Sequence, residues 1–536
     1  MNARAVRGWY GRPVTSTVLG LSCLVVSAFA GGGGPVSGLG VPFTVPRAVC
    51  GPGDHPESAL QGQVPAYLRA AGFQGFNCNL QLIGQSKGDG GNWQSAEFKD
   101  RAGHTCAYHG TSISTANRSR LGVPVVDITN PGNPTPMAYL TTTAMLDPWE
   151  SLKVNERRQL LAADNGHNGG GGPQIDVYDL STDCRFPQLL SSIPVGNGAD
   201  GGNIAPAAVV GHEGSWAPDG LTYYIGDTTN RSYQAVDTTD PTRPKYIVTF
   251  DMKTIGLASH GLSISDDGNR AYVVTPGSTP AADLTNPAVV GNNGFVILDT
   301  SEIQARRPNA QFHVISRFLF KDGSVAQHTI PVKIAGKPYI IHVDEGGAGG
   351  ISLNSPAHVA GVKAACDAGL PPYPLARIVD ISDETNPTLV SRMALEVHSP
   401  KTCSIVLPDI AGLSVFTYGS HYCSVDNRQN ATTLACGYFN SGIRVFDIRD
   451  PVNPKEIAYY NPAGTTTPSP GSNHIGPLVP NNWVSGGPDW CSAQVHLDAS
   501  NGTLWTTCQD NGVLVLKFTN NVWPFPESST PPGQQN

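Results

Sequence analysis

The sequence predicts an all-β protein, a seven-bladed β-propeller of four-stranded antiparallel blades. Three observations lead to this prediction: a phrase of the form Asp-Ile-x-Asp-Pro-x-x-Pro that recurs along the chain, hairpin signals that precede several of its copies, and a composition rich in turn residues. The copies are anchored at Asp127, Asp179, Asp237, Asp299, Asp380 and Asp447, with a seventh at Lys517, where lysine replaces the aspartate. Four copies are clear, and those at positions 179, 299 and 517 are looser.

Each copy of the phrase follows a short apolar run and precedes another, as Ile443-Arg-Val-Phe and Lys455-Glu-Ile-Ala do around Asp447. Asp and Asn side chains bond to downstream backbone and Pro fixes φ, so the phrase ends one strand and directs the next. Upstream, Asp-Gly turns between alternating apolar residues predict another hairpin, for example at 215–225 and 262–274. Two hairpins per unit give the four antiparallel strands of one blade.

Composition agrees with short strands joined by many turns. Of the 536 residues, 61 are Gly and 44 are Pro, while 39% are hydrophobic and 14% are charged. The anchors lie between 52 residues (127 to 179) and 81 residues (299 to 380) apart. This exceeds the ~40–45 residues of a minimal blade, so long loops decorate the core.

One propeller of this size occupies nearly the whole chain, although the length alone would allow several domains. We divide the chain into a signal peptide (1–30), a Gly/Pro-rich N-terminal segment (31–64), the propeller (65–523) and a disordered Pro/Gln-rich tail (524–536). Closure of the ring has two solutions. Either the last strand (512–518) pairs with N-terminal residues around 65–80, or the first blade is self-contained.

The N-terminus has the pattern of an export signal. Basic residues up to Arg12 precede an uncharged stretch that ends in Ala28-Phe-Ala30, a small-x-small cleavage motif. A lipoprotein signal at Cys23 is the alternative, but Gly20 lies three residues before it and strongly apolar residues continue after it. Cleavage near Ala30 predicts a periplasmic or extracellular protein. No other run approaches the ~18 apolar residues of a membrane span, so none is expected.

Ten of the eleven cysteines follow the predicted cleavage site, as expected for an oxidising compartment. Three pairs straddle predicted first-hairpin turns, where adjacent strands bring Cβ atoms within disulfide reach. These pairs are Cys78 with Cys106, Cys423 with Cys436, and Cys491 with Cys508. A fourth pair, Cys366 with Cys403, is expected to staple a loop, and Cys50 and Cys184 remain unassigned. None has the Cys-x-x-Cys spacing of a redox motif or zinc knuckle.

The recurring phrase resembles the LVIVD repeat, a bacterial and archaeal repeat that forms propellers. The resemblance covers about residues 75–520, and it is specific at four units and loose at three. It implies the propeller fold and export. It implies no activity, because most proteins with this repeat have none assigned.

Histidines recur at the start of the first strand of the blades, the strand that lines the central channel. His212, His260 and His328 each lie eight residues before the glycine of a first-hairpin turn, and His421 has the comparable place in its own blade. Four blades are therefore expected to point imidazoles toward the same end of the channel. These four residues are the candidate metal ligands.

Other channel candidates follow from the same alignment. Gln494 occupies the aligned position in the last unit, and His496 lies on the same strand face. The second unit has Trp149-Glu150 where the third has His212-Glu213, so Glu213 is a candidate carboxylate beside the histidines.

A separate candidate is the pair His342 and Glu345. Both follow an apolar strand at 338–341 and are expected at a strand end that faces a long loop. A turn with solvated carboxylates would also produce this pattern.

Two interpretations of the channel histidines remain open. They can hydrogen-bond the backbone of a neighbouring blade and lock the blades together, since a repeated unit repeats its structural devices. Alternatively, they bind one transition metal ion, copper or zinc, with Glu213 as a ligand or hydrogen-bond partner. The layout is similar to that of selenium-binding proteins and methanethiol oxidases, which implies copper in the channel. No segment matches their motifs, so this similarity transfers no ligand.

Two functions are carried forward. The first is an exported binding or scaffold protein, which presents its top-face loops and His-lined channel to a protein, glycan or small-molecule ligand. The alternative is a copper-type metal-dependent oxidoreductase with channel histidines as ligands. Hydrolase elbows, Walker loops and dinucleotide fingerprints are missing from the sequence, and a net charge of −8 argues against a nucleic-acid partner.

Overall fold

A computed structural model describes residues 43–91, 93–111, 119–164, 174–277, 292–352, 354–411, 413, 416–467, 469 and 487–526. The predicted signal peptide and most of the predicted C-terminal tail lie outside these residues. Within them, seven antiparallel sheets form the blades of a propeller, which confirms the predicted fold class.

The strands follow one another around the ring. The first two are β1 (Phe76–Cys78) and β2 (Leu80–Ser86). Blade 1 is β3 (Ser95–Lys99), β4 (Thr105–His109), β5 (Val123–Asp127) and β6 (Thr135–Leu140). Blade 2 is β7 (Lys153–Asn155), β8 (Leu160–Asp164), β9 (Gln174–Asp179) and β10 (Gln188–Pro194). Blade 3 is β11 (Glu213–Trp216), β12 (Thr222–Asp227), β13 (Ser232–Asp237) and β14 (Lys245–Asp251).

The remaining blades continue the pattern. Blade 4 is β15 (Leu262–Ile264), β16 (Arg270–Thr275), β17 (Asn293–Asp299) and β18 (His313–Phe320). Blade 5 is β19 (Gly323–Ile334), β20 (Lys337–Gly347), β21 (Ala376–Asp380) and β22 (Thr388–Arg392). Blade 6 is β23 (Ser420–Val425), β24 (Thr433–Tyr438), β25 (Ile443–Asp447) and β26 (Lys455–Asn461). Blade 7 is β27 (His496–Asp498), β28 (Thr503–Cys508) and β29 (Gly512–Phe518) together with β2. The α-helices are α1 (Ala66–Ala70), α2 (Ser301–Gln304), α3 (Ser355–Asp367) and α4 (Cys403–Ile410).

The repeated phrase forms the turn between the third and fourth strands of a blade. In blades 1 to 6 its first aspartate ends the third strand, and the carboxylate accepts a hydrogen bond from the backbone N–H two residues later. The pairing that follows contains a β-bulge in each of these blades. The phrase therefore forms the same turn between the third and fourth strands in each of these six blades.

The ring is closed by the N-terminal part of the chain. β2 pairs antiparallel with β29 and becomes the outermost strand of blade 7, so the last blade contains both ends of the propeller. β1 adds a fifth strand to blade 6 by pairing with β26. The closing strand begins at Leu80, the last of the expected residues 65–80. The residues just before it form β1, which pairs with blade 6 instead.

The segment before β1 is held against blade 6 by a buried ion-pair network. The Arg444 guanidinium lies 2.8 Å from a Glu57 carboxylate oxygen and 3.0 Å from a Glu456 carboxylate oxygen. The guanidinium also stacks over the Tyr459 ring. Each buried charge is paired, which offsets its desolvation, and the pairing fixes the segment before it enters the ring.

Five disulfides connect the described cysteines. Three expected pairs are present: Cys366–Cys403, Cys423–Cys436 and Cys491–Cys508. The expected Cys78–Cys106 pair is wrong, because Cys78 lies on the strand added to blade 6 while Cys106 lies on the second strand of blade 1. The actual pairs are Cys50–Cys78 and Cys106–Cys184. Five disulfides are typical of a protein exported to an oxidising compartment.

The hydrophobic core consists of layers between neighbouring blades. One such layer joins Tyr224 and Tyr233 of blade 3 to Leu262 and Val273 of blade 4. Among the described helices, none has the length and apolar character to cross a membrane.

Candidate functional site

The first strands of the blades line the channel, and those of neighbouring blades contact one another. They run in the same direction, as the parallel bridge between Glu150 and Glu213 shows. Residues at the start of these strands therefore meet at one end of the channel. Three layers result along it: aromatic rings, then histidines with glutamate, then a polar chain.

The middle layer brings two histidines and one glutamate together. The Nε2 atoms of His212 and His260 lie 2.9 Å apart. The Glu150 Oε2 atom lies 3.1 Å from His212 Nε2 and 3.5 Å from His260 Nε2. All three residues are buried, and their donor atoms are close enough to one another to hold one metal ion. We call this group the donor triangle.

Backbone carbonyls of the next blade orient two of the histidines. The Nδ1–H of His260 donates to the Ala326 carbonyl at 2.8 Å, and the Nδ1–H of His421 donates to the Ser492 carbonyl at 2.9 Å. Both rings therefore direct Nε2 into the channel. Such a bond fixes which nitrogen is available to a metal or a proton.

His421 faces the other oxygen of the glutamate. Its Nε2 lies 3.4 Å from Glu150 Oε1 and 3.8 Å from Glu345 Oε1. It is therefore an ion-pair partner on the far side of the Glu150 carboxylate from the donor triangle.

Burial and mutual charge set the protonation of this layer. Burial alone would raise the pKa of Glu150, but His212, His260 and His421 hold it well below its ordinary value. Burial would lower the pKa of His260, yet the Glu150 carboxylate outweighs burial and raises it to about 9. His421 is shifted upward in the same way, whereas burial keeps the pKa of His212 below its ordinary value. Glu150 is thus an anion that attracts cations.

A chain of polar side chains from four blades crosses the channel in the next layer. Gln327 donates to the Tyr422 hydroxyl at 3.1 Å, and that hydroxyl donates to Glu213 at 3.3 Å. The Lys153 ammonium lies 3.8 Å from the same carboxylate. Burial raises the pKa of Glu213 to about 7, even though Lys153 favours its ionised form. Glu213 therefore belongs to this chain and not to the donor triangle.

Five aromatic rings form the remaining layer, and we call them the aromatic roof. Its members are Trp93, Trp149, Phe416, Phe439 and Trp490. The Trp93 ring lies 5.1 Å from the His421 ring, and the Trp149 ring lies 5.8 Å from the His212 ring. The roof therefore packs directly against two histidines of the channel.

His328 does not join the donor triangle. Val325 has a φ of 51° and the β19–β20 pairing shifts register between Ala326 and His328, so Ala326 occupies the aligned position. The His328 ring instead stacks on Tyr422, and its Nε2 accepts the Cys423 N–H at 3.4 Å. A bulge of this kind cannot be read from the eight-residue spacing.

The remaining predicted residues lie outside the middle layer, apart from Glu345. The side chain of Gln494 accepts a hydrogen bond from Gln94, and His496 bonds Ser95 and stacks on Trp505. Sequence analysis expects His342 and Glu345 at a strand end, and both lie on β20, which continues to Gly347. His342 is therefore buried beside the rings of Phe295 and Phe320.

Glu150 is the residue of the middle layer that the sequence analysis did not single out. Its signal was present, since Trp149-Glu150 aligns with His212-Glu213. We expected the carboxylate from Glu213, the glutamate adjacent to a histidine. The channel instead takes it from the neighbouring blade, where no histidine accompanies it.

Comparisons with known proteins give one family match and several structural similarities. Residues 377–394, which span β21 and β22, match the LVIVD repeat. A putative 6-phosphogluconolactonase from Bacteroides uniformis is similar over 78% of this chain and 93% of its own, at 12% identity and a TM-score of 0.47. The β-propeller domain of Myceliophteria thermophila Cps50 (Swd1) is similar over 82% and 100%, at 9% identity and a TM-score of 0.45. Kuenenia stuttgartiensis hydrazine synthase is similar over 81% and 96%, at 11% identity and a TM-score of 0.46. No curated protein matches the chain.

Proposed function

We propose that this exported propeller is a metalloprotein that binds one first-row transition metal ion in its channel and uses it to act on a small molecule. His212, His260 and Glu150 are the proposed ligands. The observation that carries the proposal is the donor triangle, with sides of 2.9, 3.1 and 3.5 Å.

The triangle fits an ion of this kind. With these sides its circumradius is about 1.8 Å, so a point about 2.1 Å from all three atoms lies about 1 Å above their plane. For an ion about 2.1 Å from each atom, the sides of 2.9, 3.1 and 3.5 Å subtend angles of about 87°, 95° and 113°. Two of the three angles are close to the 90° of octahedral coordination.

The donor chemistry points the same way. Two imidazoles and one carboxylate on one face leave open positions for substrate, an arrangement typical of non-haem Fe(II) enzymes. Iron is therefore the ion we favour, whereas sequence analysis named copper or zinc. Metal-dependent oxidation of a small substrate is the activity that this donor set supports best.

The surroundings support a cation at this point. Glu150 Oε2 is buried and accepts no hydrogen bond from the described residues. His212 Nε2 accepts the Trp149 indole N–H, so it presents no proton to Glu150 Oε2. A metal ion would compensate the charge of Glu150 and engage the lone pairs of Glu150 Oε2 and His212 Nε2.

Metal content of the mature protein (31–536) tests the proposal. We expect about one ion per chain, with iron preferred when Fe(II), Zn(II) and Cu(II) compete under anaerobic conditions. His212→Ala with His260→Ala should abolish binding. His328→Ala is the matched control, because it removes a buried channel histidine outside the triangle, and it should bind normally. Absence of metal from the wild type after reconstitution would overturn the proposal.

The second candidate is the binding or scaffold protein, with the histidines as a structural lock. One observation favours it: the Glu150 carboxylate is already compensated by His260 and His421, whose pKa values it raises. In that case the double variant loses stability, the wild type binds no metal, and the search moves to the top-face loops.

A further inference from the structure

We infer that Trp149 controls loading of the channel centre, because its indole N–H occupies the lone pair of His212 that a metal ion requires. This inference rests on the proposed metal site. It adds a residue that sets the affinity and rate of binding without being a ligand.

The contact itself is direct. Trp149 Nε1–H donates to His212 Nε2 at 3.2 Å. The same Nε2 atom is a corner of the donor triangle, 2.9 Å from His260 Nε2. One lone pair cannot accept a hydrogen bond and coordinate an ion together. Loading of the centre therefore requires the indole to leave His212.

The backbone conformation of Trp149 also supports a functional role for this residue. Its φ is 49°, a left-handed conformation that is uncommon for a bulky residue. Strained residues of this kind persist where the surrounding structure determines them, and they cluster at functional sites. Because Trp149 directly precedes Glu150, a change at this residue also reaches a ligand.

Trp149 also lies at the solvent side of the roof. It is partly exposed, whereas its neighbour Trp93 is only 3% exposed. The Trp93 and Trp149 rings are 5.9 Å apart, so both belong to the same aromatic packing. The indole N–H of Trp93 has no hydrogen-bond partner among the described residues. Trp93 is therefore a matched control, because it lies in the same aromatic cluster but does not donate a hydrogen bond to His212.

Titration with Co(II) tests the inference, with visible absorbance as the readout and the mature protein, Trp149→Phe and Trp93→Phe as samples. Phenylalanine keeps a ring in the roof but cannot donate to His212. Loss of a neutral competing hydrogen bond should tighten Co(II) binding about three- to tenfold in Trp149→Phe. Trp93→Phe, which makes the same change of ring, should stay within twofold of the wild type.

A second measurement uses the wild-type protein, so its result does not depend on whether a variant folds. In protein labelled with ¹⁵N at the indole, addition of Zn(II) should shift the Trp149 N–H resonance as its hydrogen bond to His212 breaks. Wild-type binding with unchanged or weaker binding by folded Trp149→Phe, or a Trp149 resonance that does not respond to bound Zn(II), overturns this inference and leaves the metal site standing. Failure of every sample to bind overturns the metal site and the inference with it.

Discussion

At the scale of single residues, the proposal assigns His421 the role of positioning Glu150 and not that of a metal ligand. Its Nδ1 is bonded to Ser492 and its Nε2 faces the Glu150 oxygen that points away from the donor triangle. Hydrogen-bond partners of metal ligands change affinity by about 10–100-fold when removed. We therefore expect His421→Leu to weaken metal binding by about that factor while the stoichiometry stays at one ion per chain.

Competition with a chromophoric chelator measures this effect. His328→Leu removes another buried channel histidine and should leave the affinity within twofold of the wild type. Complete loss of binding in His421→Leu would make His421 a ligand and would require a centre different from the donor triangle.

The limits of prediction at this scale follow from how the residues reach the channel. Sequence spacing identified His212, His260 and His421, because each begins a first strand at the same place in the repeat. It could not exclude His328, which a bulge and a left-handed Val325 displace. It could not choose between Glu150 and Glu213, because ligands from different blades have no fixed spacing in the chain.

At the scale of elements, Glu97 links the two blades on either side of the ring closure. It lies on β3 of blade 1, and its carboxylate accepts the indole N–H of Trp505 on β28 of blade 7. Burial raises the pKa of Glu97 to about 7, although the Trp505 hydrogen bond favours the ionised form. The unfolded chain, with an ordinary glutamate pKa near 4.3, releases this proton at lower pH.

The sign of the pH dependence follows. Between about pH 4.5 and pH 7 the folded protein keeps a proton that the unfolded chain has lost, so the contribution of Glu97 to stability falls as the pH rises. Glu97→Gln, which keeps an oxygen acceptor for Trp505, should remove this fall. Relative to the wild type, the variant should gain about 1–2 kcal/mol in the free energy of unfolding between pH 5 and pH 8.

Denaturant unfolding at the two pH values measures this difference. Asp367→Asn, which removes an exposed carboxylate from the C-terminal end of α3, is the control and should follow the wild-type profile. Parallel profiles for Glu97→Gln and the wild type would show that the carboxyl group ionises normally in the folded protein.

The elements themselves were largely predictable. The aspartate of each phrase makes a local bond to the backbone two residues later, so its effect does not depend on distant contacts. The Cys78–Cys106 pairing failed for the opposite reason. The sequence predicts that both cysteines flank one hairpin. Cys78 instead lies on β1, which pairs with β26 of blade 6, far away in the chain.

At the scale of the whole molecule, β2 closes the ring by joining the N-terminal part of the chain to the last blade. Leu80 begins β2 and is fully buried in the core of blade 7. Leu80→Ala should reduce the free energy of unfolding by about 2–4 kcal/mol. Because the closed ring couples each blade to the next, we expect amide protection to fall in blades 3 and 4 as well as in blade 7.

Hydrogen exchange followed by mass spectrometry resolves the blades. Leu189→Ala makes the same substitution on β10, an outermost strand where Leu189 is 49% exposed, and should change little. A loss of protection confined to blades 7 and 1 would show that the blades unfold independently and that the ring does not act as one unit.

Anomalous diffraction from crystals of the iron-loaded protein would locate the metal ion. We expect a single strong iron peak inside the channel, about 2.0–2.3 Å from His212 Nε2, His260 Nε2 and Glu150 Oε2, with His421 outside bonding distance. A channel without a peak, or a peak only at another cluster such as Asp100, His104 and Asp183, would contradict the proposed metal site.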